Sequence, residues 1–301
     1  MSERTRSRPN LLLVGMPRCA STALSVALGS HPDVFVSDPK EPHFLAMHGF
    51  GHDLRGPGTE EFERDKRLDP KRWHGLFDGR GERYRVDASV TTATYPEVSI
   101  PNIKRHCEPG TKLLIALRNP VERAHSSYMY CVARGWERGA FEECLADEPR
   151  RIENHWQHLW FLRHLGLYRE RLAPFYDAFP ERDIHLVISE ELSAAPQETM
   201  GRLYEFLDIA PAEIDASARL NAGGRPKNAL VHGLSTAVHS SPRLRRGVRR
   251  LTTRRFREAL RTRHLAKVDM ASDTRAHLEE SFADTRSWVQ ERLGRRLPGW
   301  D

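Results

Sequence analysis

No apolar run in this chain approaches the ~20 residues that a membrane-spanning helix needs. The basic start (Arg4, Arg6, Arg8) leads into only four apolar residues, Leu11 to Val14. That is short of the roughly 7–15 of a signal-peptide core, and the run reads better as a strand. Cysteine is scarce: Cys19, Cys107, Cys131 and Cys144 are scattered without metal-type spacing. Such usage excludes a disulfide framework or zinc module and predicts reduced thiols in a cytosolic protein. A generally basic surface is also missing. The net charge is +6, yet residues 243–263 alone hold ten Arg and one Glu. The charge balance therefore describes one segment and gives no sign of a nucleic-acid-binding fold. Internal repeats and low-complexity tails are absent as well.

What is present is globular. With 301 residues, 39% hydrophobic and 29% charged, the chain can bury a sizeable core as one domain spanning 1–301. Short apolar runs read as strands at Leu11–Val14, Val34–Val36, Tyr84–Asp87, Lys112–Leu117 and Ile184–Ile188. Helices are expected from Ser21 or Thr22, from Val121, over 151–179 with a break at Gly166, over Glu198–Leu207 and over 271–294. Residues 47–81 read as a loop with a helical piece. Alternating strands and helices predict an α/β fold whose central parallel sheet is flanked by helices on both faces.

The segment Leu11 to Leu24, LLLVGMPRCASTAL, is a strand, a loop broken at Gly15 and Pro17, and a helix start. Backbone N–H groups and the positive helix end converge there on a site suited to an anion. Arg18 adds a cation, and Ser21 and Thr22 add hydroxyls. The layout is that of a phosphate-binding loop, but the Walker pattern Gly-x-x-x-x-Gly-Lys-[Ser/Thr] is not met. Set on Gly15, its last three positions are Ala20, Ser21 and Thr22, with no lysine for a nucleotide's β/γ-phosphates.

Three further segments follow in order: Ser37-Asp38-Pro39-Lys40-Glu41-Pro42-His43-Phe44, Arg118-Asn119-Pro120-Val121-Glu122-Arg123-Ala124-His125-Ser126, and Gly166-Leu167-Tyr168 ahead of Ser189-Glu190-Glu191-Leu192. With the opening loop, they resemble the sulfotransferases that use 3′-phosphoadenosine-5′-phosphosulfate (PAPS), above all the glycan (heparan-sulfate-type) branch and its bacterial relatives. The resemblance covers a core of about 11–230, with a weaker echo at Leu297-Pro298-Gly299-Trp300. It implies a P-loop-like fold and sulfuryl transfer to an acceptor hydroxyl, with adenosine 3′,5′-bisphosphate (PAP) as product and no metal. It assigns Arg18, Cys19, Ala20, Ser21, Thr22 and Ala23 to the 5′-phosphosulfate, and Arg118 and Ser126 to the 3′-phosphate. A later loop with Arg225, Lys227 and Asn228 covers the nucleotide. Glu41 becomes the general base, Arg18 an electrostatic clamp and His43 a further polar group of the catalytic site. Arg18 stands where glycan members usually carry Lys. Asp87, Ser89 and Thr91 match a donor- or acceptor-side motif that often has a Lys, which this chain lacks.

The acceptor stays open among a glycan, a glycolipid and a small secondary metabolite. Arg123 is expected to pair with a helix-face acid near Glu122. His155, His158 and His164 sit among Trp156, Trp160 and Phe161 and read as a packed aromatic helix in preference to a metal site. The Arg-rich segment fits an appended amphipathic helix or lid, an acceptor-capture surface or a peripheral membrane contact. Two other classes remain open at this point: a P-loop kinase or NTPase, and a polyanion- or membrane-binding module built on that segment.

Overall fold

Five short apolar segments build the sheet that organises the molecule. A computed structural model describes residues 7–65, 69–213, 225–226, 265–266 and 269–300. In it, β1 (Leu11–Leu13), β2 (Val34–Val36), β3 (Tyr84–Asp87), β4 (Lys112–Leu117) and β5 (Ile184–Ile188) run parallel in the order β2-β3-β1-β4-β5. The residues of β1 and Leu113 to Leu117 of β4 are at most 1% exposed. Successive side chains of a strand point to opposite faces, so burial of all of them means that both faces are covered.

β1 runs through a tight loop into α1 (Ser21–Gly29), which returns the chain to β2. β4 runs through Arg118 and Asn119 into α6 (Pro120–Ala133), on the way to β5. The neighbours β1 and β4 thus send the chain in opposite directions, which leaves a crevice at their carboxyl ends. Gly15 lets the first loop lie against β4. A Cβ there would sit 3.2 Å from both the Cβ and the carbonyl oxygen of Ala116, while the Met16 N–H donates to that carbonyl.

Other elements differ from expectation. Residues 151–179 do not form one helix. After α7 (Phe141–Glu153) the chain makes 3-10 turns at His158–Trp160 and His164–Gly166 before α8 (Tyr168–Ala178). The interruption has a cause. His155 takes a left-handed backbone with φ 55°, its carbonyl accepts from the Arg55 N–H, and the Gln157 N–H donates to the Arg55 carbonyl. Backbone groups used sideways cannot make the helical i→i−4 ladder. Hence His155, His158 and His164 share no helix face. The 271–294 segment is two helices, Ser272–Ser281 and Ala283–Leu293, parted at Phe282. The Phe282 ring is fully buried against Gly166, where a Cβ would come within 2.6 Å of it. The helices Phe44–Met47 (α2), Thr59–Asp65 (α3), Pro70–His74 (α4) and Pro96–His106 (α5) were unassigned or only partly foreseen.

Candidate functional site

The crevice between β1 and β4 collects most of the residues singled out in the sequence. On its first wall, Arg18 and Ala20 both adopt positive φ, 72° and 60°. These turns fold the loop so that α1 starts at Ser21, beside exposed Thr22 and half-buried Ala23. Cys19 contributes no side chain to the crevice: its thiol is buried in the core, and burial pushes its pKa up to about 12. Only its backbone is left to serve an anion.

The second wall is the start of α6. Asn119 caps this helix, its Oδ1 accepting from the N–H groups of Val121 and Glu122. Its own N–H donates to Glu190 Oε1 at 2.9 Å, and its Nδ2 to the Gly299 carbonyl at 2.7 Å. The carbonyl of half-buried Arg118 accepts from the Tyr168 hydroxyl at 2.6 Å. Ser126 faces the first wall directly: Arg18 Nε donates to Ser126 Oγ at 3.2 Å. The same guanidinium lies 4.9 Å from the centre of the Tyr130 ring, one turn further along the helix. The two walls, far apart in the chain, thus meet side chain to side chain.

Arg123 is not part of this site. It is fully buried and donates to the carbonyls of Phe161 and Leu162, so the expected pairing with a helix-face acid near Glu122 does not occur. Glu122 instead pairs with Arg275 at 2.8 Å. Arg123 holds the 3-10 segment against α6.

The segment after β2 supplies the third wall. Lys40 Nζ donates to Ser21 Oγ at 3.2 Å and lies 2.7 Å from Glu41 Oε1. Glu41 Oε2 is 4.0 Å from His43 Nε2. His43 has φ 58° and is fixed by the motif after β3: its N–H donates to Ser89 Oγ, and its Nδ1 lies 3.0 Å from Thr91 Oγ1. Asp87 holds that motif in turn, accepting from the Ser89 N–H at 3.0 Å and from Trp73 Nε1 at 2.8 Å. Burial raises the Asp87 pKa to about 6. Next to His43, burial together with the His43 charge depresses the pKa of His158 to about 3.

Chemically, a loop with its helix start, two arginines and a set of hydroxyls can hold an anion with two charged ends. A half-exposed carboxylate stands beside one of those ends. Ser89 and Thr91, matched in the sequence to a donor- or acceptor-side motif, belong to this network by holding His43, and Lys40, Tyr130 and Asn119 join it although sequence reasoning gave them no role. Lys40 could have been found as the neighbour of Glu41, and Tyr130 by its one-turn spacing from Ser126. Arg225 pairs through its backbone with Ala266. Lys227, Asn228 and the Arg-rich 243–263 segment lie outside the described residues.

Comparison with known proteins agrees with this picture. The model of a family described as the sulfotransferase family matches residues 9–213. Carbohydrate sulfotransferase 15 of Rattus norvegicus is 23% identical over 254 residues, covering 69% of this chain and 45% of the relative. Heparan sulfate glucosamine 3-O-sulfotransferase 6 of Mus musculus is 26% identical over 227 residues, covering 72% and 57%. The chain thus spans about half the length of the curated relatives it matches. The crystal structure of a sulfotransferase from Alicyclobacillus acidocaldarius superposes with a TM-score of 0.76 at 28% identity, covering 98% of this chain and 99% of that one.

Proposed function

Since the chain belongs to the sulfotransferase family, we propose that it transfers a sulfuryl group from PAPS to an acceptor hydroxyl, with a carbohydrate as the acceptor class. The carbohydrate and heparan sulfate names of its relatives support that class. The observation that carries the reading is the bond from Arg18 to Ser126. It joins the loop after β1 to the helix after β4, so two anion-binding walls face one crevice beside Glu41. In this reading the 5′-phosphosulfate lies on the Arg18–Ala23 loop, and the 3′-phosphate on Arg118 and Ser126. Loop N–H groups and Arg18 stabilise charge as it develops on the leaving phosphate oxygen.

Glu41 takes the proton of the acceptor hydroxyl as its oxygen attacks sulfur. His43, held by Ser89 and Thr91, limits where that carboxylate can swing. Glu41→Gln keeps the shape and loses the base. Turnover is expected to fall by about 10²–10⁴-fold, while PAP binding measured by calorimetry is preserved. Turnover close to wild type in this variant overturns the assignment of Glu41.

A further inference from the structure

Sulfuryl transfer places a charged group between two oxygens, the one leaving and the one arriving. In the proposed geometry the leaving oxygen is held near Ser21, and the arriving oxygen gives its proton to Glu41. Lys40 touches both residues: its ammonium donates to Ser21 Oγ at 3.2 Å and lies 2.7 Å from Glu41 Oε1. Arg18, the other cation of the phosphosulfate loop, reaches Ser126 and the Tyr130 ring. We propose that Lys40 is a further catalytic residue, the cation that holds the sulfuryl oxygens during transfer.

The root of Lys40 is fixed while its tip stays accessible. Its carbonyl accepts from the Ala88 N–H at 3.3 Å, just past the end of β3, and the Ser37 hydroxyl reaches the carbonyls of Pro39 and Lys40 at 3.0 and 3.5 Å. The side chain is 24% exposed. A fixed cation at the point of charge transfer needs no reorganisation when the reaction occurs. An ordinary surface Lys–Glu pair would explain the Glu41 contact and would be worth little. It would not explain the second contact, across to the first residue of α1.

The step balances without any additional reactant. The acceptor oxygen forms a bond to sulfur, and the bond from sulfur to the phosphate oxygen breaks. Its electron pair stays on the phosphate, and the acceptor proton passes to Glu41. Lys40 exchanges its carboxylate contact for a sulfuryl oxygen, which frees Glu41 to meet the acceptor.

This inference rests on the sulfotransferase reading, and its test is separable from that of Glu41. In Lys40→Met, kcat is expected to fall by about 10²–10³-fold, the range for loss of one preorganised donor. PAP lacks the sulfuryl group, so its dissociation constant should change by no more than about twofold. Lys40→Arg should recover at least roughly a tenth of the lost rate, because it restores the charge but not the compact ammonium. The proposal is overturned by a Lys40→Met kcat within about threefold of wild type, or by PAP affinity falling in step with kcat. An inactive Glu41→Gln with a fast Lys40→Met rejects Lys40 alone. An active Glu41→Gln with a slow Lys40→Met of intact PAP affinity rejects Glu41 and keeps Lys40.

Discussion

Arg118 leaves its strand with its backbone already committed. Its carbonyl is held by the Tyr168 hydroxyl, and the next residue, Asn119, bonds the helix start, Glu190 and Gly299 together. Little freedom of the chain is left to lose when the guanidinium meets a phosphate, which favours tight and selective binding. If Arg118 takes the 3′-phosphate, Arg118→Ala removes a charge-assisted contact worth about 1.5–3 kcal/mol, or roughly 10- to 150-fold. Calorimetry should show that loss for PAP and almost none for adenosine 5′-phosphate, which lacks the 3′-phosphate. Equal losses for the two nucleotides would contradict the role. Arg123, only five residues on, shows why residue type alone misleads. It has the same chemistry and lies in the same motif, yet it is buried and serves the fold.

At the scale of elements, the sheet was legible because buried parallel strands are short unbroken apolar runs between turn residues. Lys112–Leu117 and Ile184–Ile188 were bounded as the structure has them. The loop after β1 and the Glu41 and Arg118 segments were legible because their residue order is itself the signal. The stretch after Glu153 was not, because its helical pattern is overruled by pairing with Arg55, a contact no local window contains. Lys40 stands beside Glu41 in the sequence, but its second contact, with Ser21 across the crevice, is one that no local window contains.

The ends of three helices carry a further consequence. His48 follows α2, His74 ends α4 and His106 ends α5, and His106 lies 5.7 and 5.6 Å from the other two rings. A helix C-terminus favours a charged histidine. Burial wins here, aided by the charges of His74, His48, Arg105 and Arg8, and His106 is depressed to about 4. Burial also lowers His164 and His185 to about 4 and His158 to about 3. An unfolded histidine titrates near 6.5. Between that value and about 4 the unfolded chain therefore binds more protons, and stability falls as pH falls. Asp87 opposes this, since its raised value of about 6 makes the fold the better proton binder between 3.8 and 6. Burial also lowers His125 and raises Glu148, so five histidines stand against two carboxylates and leave a net loss. The thermal midpoint should drop steadily from pH 7 to pH 4.5, and His106→Phe should flatten the slope. A midpoint independent of pH over that range would refute the account.

Across the whole molecule, the candidate nucleotide site is held from behind by the far end of the chain. Leu297 and Trp300 are each 1% exposed, and the Trp300 ring lies 6.3 Å from that of Tyr168. Gly299 accepts from Asn119, and Phe282 fills the space that Gly166 leaves open. The short echo Leu297-Pro298-Gly299-Trp300 therefore acts on the same turn as Arg118, through Tyr168 on one side and Asn119 on the other. Trp300→Ala should cost about 3–5 kcal/mol of stability, as large-to-small changes of buried aromatics do. If the tail only seals the core, PAP affinity in the surviving folded protein stays at the wild-type value. If it positions Arg118, as these bonds indicate, PAP affinity falls well below the folding temperature, while Glu41-dependent chemistry at saturating donor is largely kept. Thermal unfolding, PAP calorimetry and kcat measured together on Trp300→Ala and Asn119→Ala separate the two. The positioning role requires both variants to weaken PAP, and unchanged affinity in either one removes it.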